Sequence, residues 1–142
     1  MSDNIRNRQG GYQRAARIVF LTGRPDGLAG EAALFCEELG GAWMQARAAA
    51  LPGCISSVAQ LTVDDLAWGD LLVTLDEAAF AGLPARRSAM QHRHYPFEPG
   101  TKDNMPEVIA RLRERIAGMA GGLRMLHQAA QMDEEPGVGS VN

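Results

Sequence analysis

The chain has 142 residues, 46% hydrophobic and 22% charged, which fits one compact domain with loose ends and leaves little room for two. Its 17 acidic and 14 basic side chains give a net charge of -3, so composition offers no electrostatic case for nucleic acid or an anionic membrane. No apolar run approaches the roughly 18–20 residues of a membrane span. Two cysteines, Cys36 and Cys54, are too few for a disulfide framework, and the amino end has no charged start followed by an apolar core, so the expected setting is cytoplasmic.

Residues 1–16 and 133–142 are polar and aperiodic and are expected to be disordered, framing one domain over 17–132. Arg17-Ile18-Val19-Phe20-Leu21 is an apolar, β-branched run and reads as a strand buried on both faces. After the loop 22–30, Leu28, Ala32, Phe35 and Leu39 fall on one helical stripe, and Gly40-Gly41 supplies a left-handed stop. A short second strand is predicted over Ala42–Ala46, followed by a weakly patterned stretch from Ala48 to Ser57. Thr62 with Asp64 and Asp65 starts a brief helix, because a hydroxyl caps free amides and early carboxylates favour the positive end of the helix dipole. Leu71–Leu75 is the second buried strand, and Asp76 caps a helix ending near Gly82. Met90–Phe97 suits a lesser strand near the sheet edge, limited by Pro96. Asp103 or Asn104 caps a final helix with Val108, Ile109, Leu112, Ile116 and Met119 on its apolar stripe, broken or kinked at Gly121-Gly122. Strands alternating with helices predict an α/β domain with a mainly parallel four-stranded sheet and helices on both faces.

In such a sheet the ligand crevice lies beyond the carboxyl ends of the strands, which points to the loop TGRPDGLAG after the first strand. Its glycines and the helix that follows make Thr22, Gly23, Arg24 and Gly27 candidate anion-binding residues, with backbone N–H groups and one guanidinium as donors. Asp26 works against this by repelling an anion. Neither nucleotide-loop spacing, Gly-x-Gly-x-x-Gly or Gly-x4-Gly-Lys-Ser/Thr, is present, and the sequence calls for no cofactor.

The order of strand RIVFL, a loop beginning Thr22-Gly23, a helix with Glu31-Ala32 in its first turn, and LTVDDLAWGDLLVTLDEAAFAGLP resembles the low-molecular-weight protein tyrosine phosphatase family. The likeness spans residues 17–119 and is strongest over Thr62–Leu83. It implies a three-layer, phosphatase I-like sandwich. The family's chemistry requires a thiolate at the loop start and an Arg six positions later to grip the phosphoryl oxygens. Leu21 stands at the first position and Gly27 at the second, and shifting to Phe20 or Thr22 reaches Asp26 or Leu28. Glu98-Pro99 stands where the family places an Asp-Pro acid, so Glu98 is a vestigial acid with no nucleophile to serve. No catalytic residue is assigned, and the cysteine relay of the arsenate-reducing branch cannot be assembled from Cys36 and Cys54.

Cys36 reads as a core thiol and Cys54 as a more open one. His92 and His94 lie on one face of a strand, a start for a transition-metal site that lacks a third ligand unless His127 supplies it. Trp43 and Trp68 read as packing residues. Three functions are therefore expected in order: a pseudophosphatase acting as a binding or regulatory module with weak affinity for a phosphate-like anion; a hydrolase redeploying Glu98, Asp26 or the His92/His94 pair; and a structural partner or homodimer that packs through Leu123, Met125, Leu126 and Met132.

Overall fold

The computed structural model describes residues 14–99 and 101–134. Its elements are strand β1 (Ala16–Thr22), helix α1 (Leu28–Gly40), β2 (Met44–Ala50), α2 (Val63–Trp68), β3 (Leu71–Thr74), α3 (Glu77–Ala81), β4 (Gln91–His94) and α4 (Met105–Glu134). The four strands form one sheet in the order β2-β1-β3-β4, and every pairing is parallel. The predicted α/β class and three-layer architecture are therefore those of the molecule.

Alternation along the strands builds the layers. Ile18 and Phe20 of β1, with Leu71 and Val73 of β3, face α1 and the Val108, Leu112 and Ile116 stripe of α4. Val19, Leu21 and Leu72 face the opposite layer, where Ala79 of α3 and Leu66 and Trp68 of α2 cover them. Trp68 packs as expected, with the Arg47 guanidinium 4.1 Å from its ring centre. Thr62 caps α2 in a reciprocal box: its hydroxyl accepts from the Asp65 amide at 3.1 Å, and the Asp65 carboxylate accepts from the Thr62 amide at 3.0 Å.

Three boundaries differ from the sequence reading. Gly41–Trp43 forms a 3-10 turn, so β2 starts at Met44 rather than Ala42 and runs on to Ala50. The strand state of its alanines is set by seven register pairs with β1, from Ala16↔Met44 to Thr22↔Ala50, and not by local pattern. Helix α4 passes through Gly121-Gly122 unbroken, because Met119, Ala120 and Leu123 are buried in the core and offset the roughly 1 kcal/mol that each helical glycine costs. Arg14 and Ala16 belong to the fold: Arg14 donates to both carboxylate oxygens of buried Asp70 at 2.9 and 3.1 Å, tying the start of β1 to β3. At the other end α4 runs through Asp133 and Glu134, two residues into the tail expected to be disordered, and residues 1–13 and 135–142 lie outside the described residues.

The core assignment makes a quantitative contrast. Leu112→Ala, at a fully buried position, is expected to lower unfolding free energy by about 2–5 kcal/mol. Leu34→Ala, at a residue 64% exposed, is expected to cost less than about 1 kcal/mol. Urea denaturation curves with unchanged slope check both.

Candidate functional site

The carboxyl ends of β1 and β3 lie side by side, with Leu21 paired to Thr74, so the loop after β1 meets the start of α3. Asp76 stands at that junction, 2% exposed. Its carboxylate caps α3 by accepting the Ala79 amide at 2.8 Å, and it also receives the Thr22 hydroxyl at 2.8 Å and the Gly23 amide at 3.1 Å. The Arg24 amide returns to Thr22 Oγ1 at 3.1 Å. Gly23 is required by space: a Cβ there would lie 2.6 Å from that of Ala78.

Arg24 does not reach outward. Its Nη1 donates to the Phe97 carbonyl at 2.9 Å and its Nη2 to that of Glu98 at 3.3 Å, which straps the loop to the segment after β4. Its Nε lies 3.0 Å from Asp26 Oδ2 and 3.8 Å from Asp76 Oδ2. The Asp26 contact is an ion pair off the line of a hydrogen bond, since both atoms are buried without a directed partner. The other Asp26 oxygen accepts the Leu28 amide at 3.2 Å, and Gly27 takes a left-handed φ of 81° to let α1 begin. Of the four expected anion ligands, Thr22, Gly23 and Arg24 are thus engaged with carboxylates or carbonyls of the chain itself.

A crevice of about 450 Å³ opens beside this loop, lined by Arg24, Asp76, Glu77, Phe97, Glu98 and neighbouring residues. The structure brings Arg24, Asp76 and Glu98 to the lining of one crevice. Glu98 is half-exposed, and its Oε2 pairs with Arg111 at 3.1 Å and accepts from Asn104 Nδ2 at 3.4 Å. A larger depression of about 600 Å³ lies across the 95–98 segment against α4, but it holds none of the loop residues.

Other candidates lie apart from the crevice. Leu21, at the nucleophile position of the resemblance, is fully buried. Cys36 is sealed in the core, where burial and then Glu37 push its thiol up to about 12, while Cys54 is half-buried in the loop after β2. His92 and His94 turn toward α3 and bond Thr74 instead of lining the crevice. Among the described residues no three His, Cys, Asp or Glu side chains converge as metal ligands, and the side chain of His127 lies outside them. Leu123 is buried and Met125 is 70% exposed, whereas the side chains of Leu126 and Met132 lie outside the described residues. Among the described residues no helix is long and apolar enough to cross a membrane.

Sequence reasoning missed the junction at Asp76, reading that residue as a helix cap alone. The available signal was topological: two buried parallel strands set an Asp directly after one beside the loop that follows the other.

No protein-family model and no curated protein matches the chain. Solved structures share its fold. A thioredoxin-dependent arsenate reductase from Corynebacterium glutamicum is 14% identical with a TM-score of 0.63, covering 79% of this chain and 63% of its own length. A mutant of YwlE from Bacillus subtilis is 14% identical with a TM-score of 0.61, covering 78% and 99%. The YwlE arginine phosphatase from Geobacillus stearothermophilus is 12% identical with a TM-score of 0.58, covering 84% and 97%. At these identities the likeness is one of fold, and it agrees with the architecture that the resemblance implied.

Two measurements check the site. Asp76→Ala strands a hydroxyl and two amides and is expected to lower unfolding free energy by about 2–4 kcal/mol in urea, since a cap and two hydrogen bonds to a charge are lost. A disulfide reagent at about pH 8 is expected to label Cys54 alone in the folded chain and both thiols in denaturant, because only the thiolate reacts and Cys36 holds its proton.

Proposed function

We propose that this chain is a pseudophosphatase: a catalytically inactive binding or regulatory module on the phosphatase-like fold, with weak affinity for phosphate-like anions at the loop after β1. The observation that supports it is the self-engagement of that loop. Asp76 takes the Thr22 hydroxyl and the Gly23 amide, and Arg24 is turned onto Asp26 and the carbonyls of Phe97 and Glu98. An external oxyanion must displace these partners and sit near two carboxylates, which argues for binding in the millimolar range or weaker.

Thiol catalysis at the loop after β1 has no starting group, since a buried leucine occupies the nucleophile position, Cys36 stays protonated and Cys54 lies in the loop after β2. Glu98, paired with Arg111 at the rim, has no adjacent nucleophile to protonate for. Its working setting on this reading is the cytoplasm, and its partner a protein or a second copy of the chain.

Purified protein assayed on an aryl phosphate, with and without divalent metals, is expected to give no turnover above a no-protein control. Turnover that Glu98→Gln abolishes would replace this reading with a hydrolase that uses the crevice. Phosphate titration followed by amide NMR is expected to move residues 22–28 without saturating below about 10 mM, a range that corresponds to less than roughly 3 kcal/mol of binding. Unmoved resonances in that loop would remove the anion-binding part.

A further inference from the structure

The β3–β4 edge holds a cluster of titratable groups that the reading above does not use. His92 and His94 lie two apart on β4, so both leave the same face of the sheet, the one that α3 covers. Fully buried Thr74 presents its Oγ1 3.0 Å from His92 Nε2 and 2.7 Å from His94 Nδ1. His94 Nε2 lies 3.1 Å from Glu77 Oε2, and Phe80 of α3 stacks on both rings with centroids 5.8 and 4.5 Å away. The charged groups facing the pair are Glu77 from α3 and Arg86 from the segment after it. β3 contributes neutral Thr74, and Arg93 lines a hollow on the α4 side of the sheet.

Counting protons fixes the direction of this network. The Glu77 carboxylate accepts, so His94 Nε2 donates to it, and the other nitrogen of a neutral His94 accepts the Thr74 hydroxyl. Thr74 has no second proton, so His92 Nε2 must donate to it. The chain His92→Thr74→His94→Glu77 is complete with both rings neutral. Protonating His94 makes both of its nitrogens donors and turns the Thr74 hydrogen away. With both rings charged, that hydrogen is left with the Arg93 carbonyl at 3.5 Å, the limit of a hydrogen bond. Two imidazoliums then share one oxygen, their nitrogens no more than about 6 Å apart beside Arg86, with only the exposed Glu77 as counter-charge.

We propose that this cluster is a pH-sensitive clasp: with its histidines neutral it holds β4 against β3 and α3, and on acidification it releases the edge strand and the 95–99 segment that walls the crevice. The connection is through the backbone. Directly after β4, the Tyr95 amide donates to the Thr74 carbonyl and the Phe97 amide to that of Leu75, and the carbonyls of Phe97 and Glu98 hold Arg24. Among the described residues β4 is a four-residue edge strand whose ladder partner is β3, so its side-chain bonds to Thr74 and Glu77 add to one ladder and not to two.

Burial, then the charges of Arg86 and His94, depress the pKa of His92 below its ordinary 6.5. A base whose pKa is lower folded than unfolded stabilises the fold above the unfolded value and loses that contribution as pH falls from there toward the folded one. Acid therefore loosens the clasp. The device concerns the wall of the crevice whatever that crevice binds, so its test reads backbone exchange and not a ligand.

Amide hydrogen exchange of the full chain, corrected for intrinsic rates, is compared at about pH 5 and about pH 7.5, below and above the ordinary imidazole value of about 6.5. Protection at Tyr95 and Phe97 is expected to fall at least about tenfold in acid relative to Val19 and Leu21, and to stay level in a His92→Gln, His94→Gln double variant. Equal protection at both pH values, or the same acid loss in the double variant, would overturn the clasp. If the double variant does not fold, wild-type NMR decides: the Tyr95 and Phe97 amide shifts are expected to follow the imidazole midpoints, and a transition more than about 1 pH unit away overturns it.

Discussion

Three parts of the molecule meet on the Asp76 carboxylate: the hydroxyl that ends β1, the first amide of the following loop, and the Ala79 amide in the first turn of α3. A carboxylate buried to this depth is tolerable only when its lone pairs are filled, and these three donors fill them. The arrangement fixes the course of the loop from its first residue. Gly23 is pressed against Ala78 by it, and the Arg24 side chain is drawn back over the sheet end. What the loop presents to solvent follows from a charge that solvent does not reach.

The fold neighbours include an arsenate reductase and an arginine phosphatase. What they share with this chain is the fold; the crevice at the carboxyl end of the parallel sheet is observed in this chain. In this chain that end carries Asp26, Asp76, Glu77 and Glu98 against Arg24 and the rim residue Arg111. The balance of charge is unfavourable to an oxyanion, and the guanidinium best placed to offset it is already committed. Architecture and charge distribution therefore point in different directions, and a shared fold does not carry over a shared site chemistry.

Much of the fold was legible because its central strands are written plainly. RIVFL and LLVTL are short apolar runs with no helical spacing, and Thr62 and Asp76 mark helix starts by chemistry that acts within three residues. β2 was misplaced because MQARAAA has neither branched residues nor alternation, and its state comes from a partner strand. Gly121-Gly122 looked like a stop because propensity is local, whereas the burial of Leu123 is tertiary. The same divide runs through the site. Gly23, Arg24 and Asp26 could be placed on the right loop, but Asp76, Phe97 and Glu98, which engage Gly23 and Arg24, lie 53 to 74 residues away. That His92 and His94 share a face was visible; that Thr74 joins them and Glu77 ends the chain was not.

The carboxylates that engage the loop are tethered to the same polypeptide, so they act at a fixed effective concentration that dilution leaves unchanged. Any anion in solution competes against an occupant that never diffuses away. The internal occupancy of the loop is therefore a property of the fold more than of its surroundings.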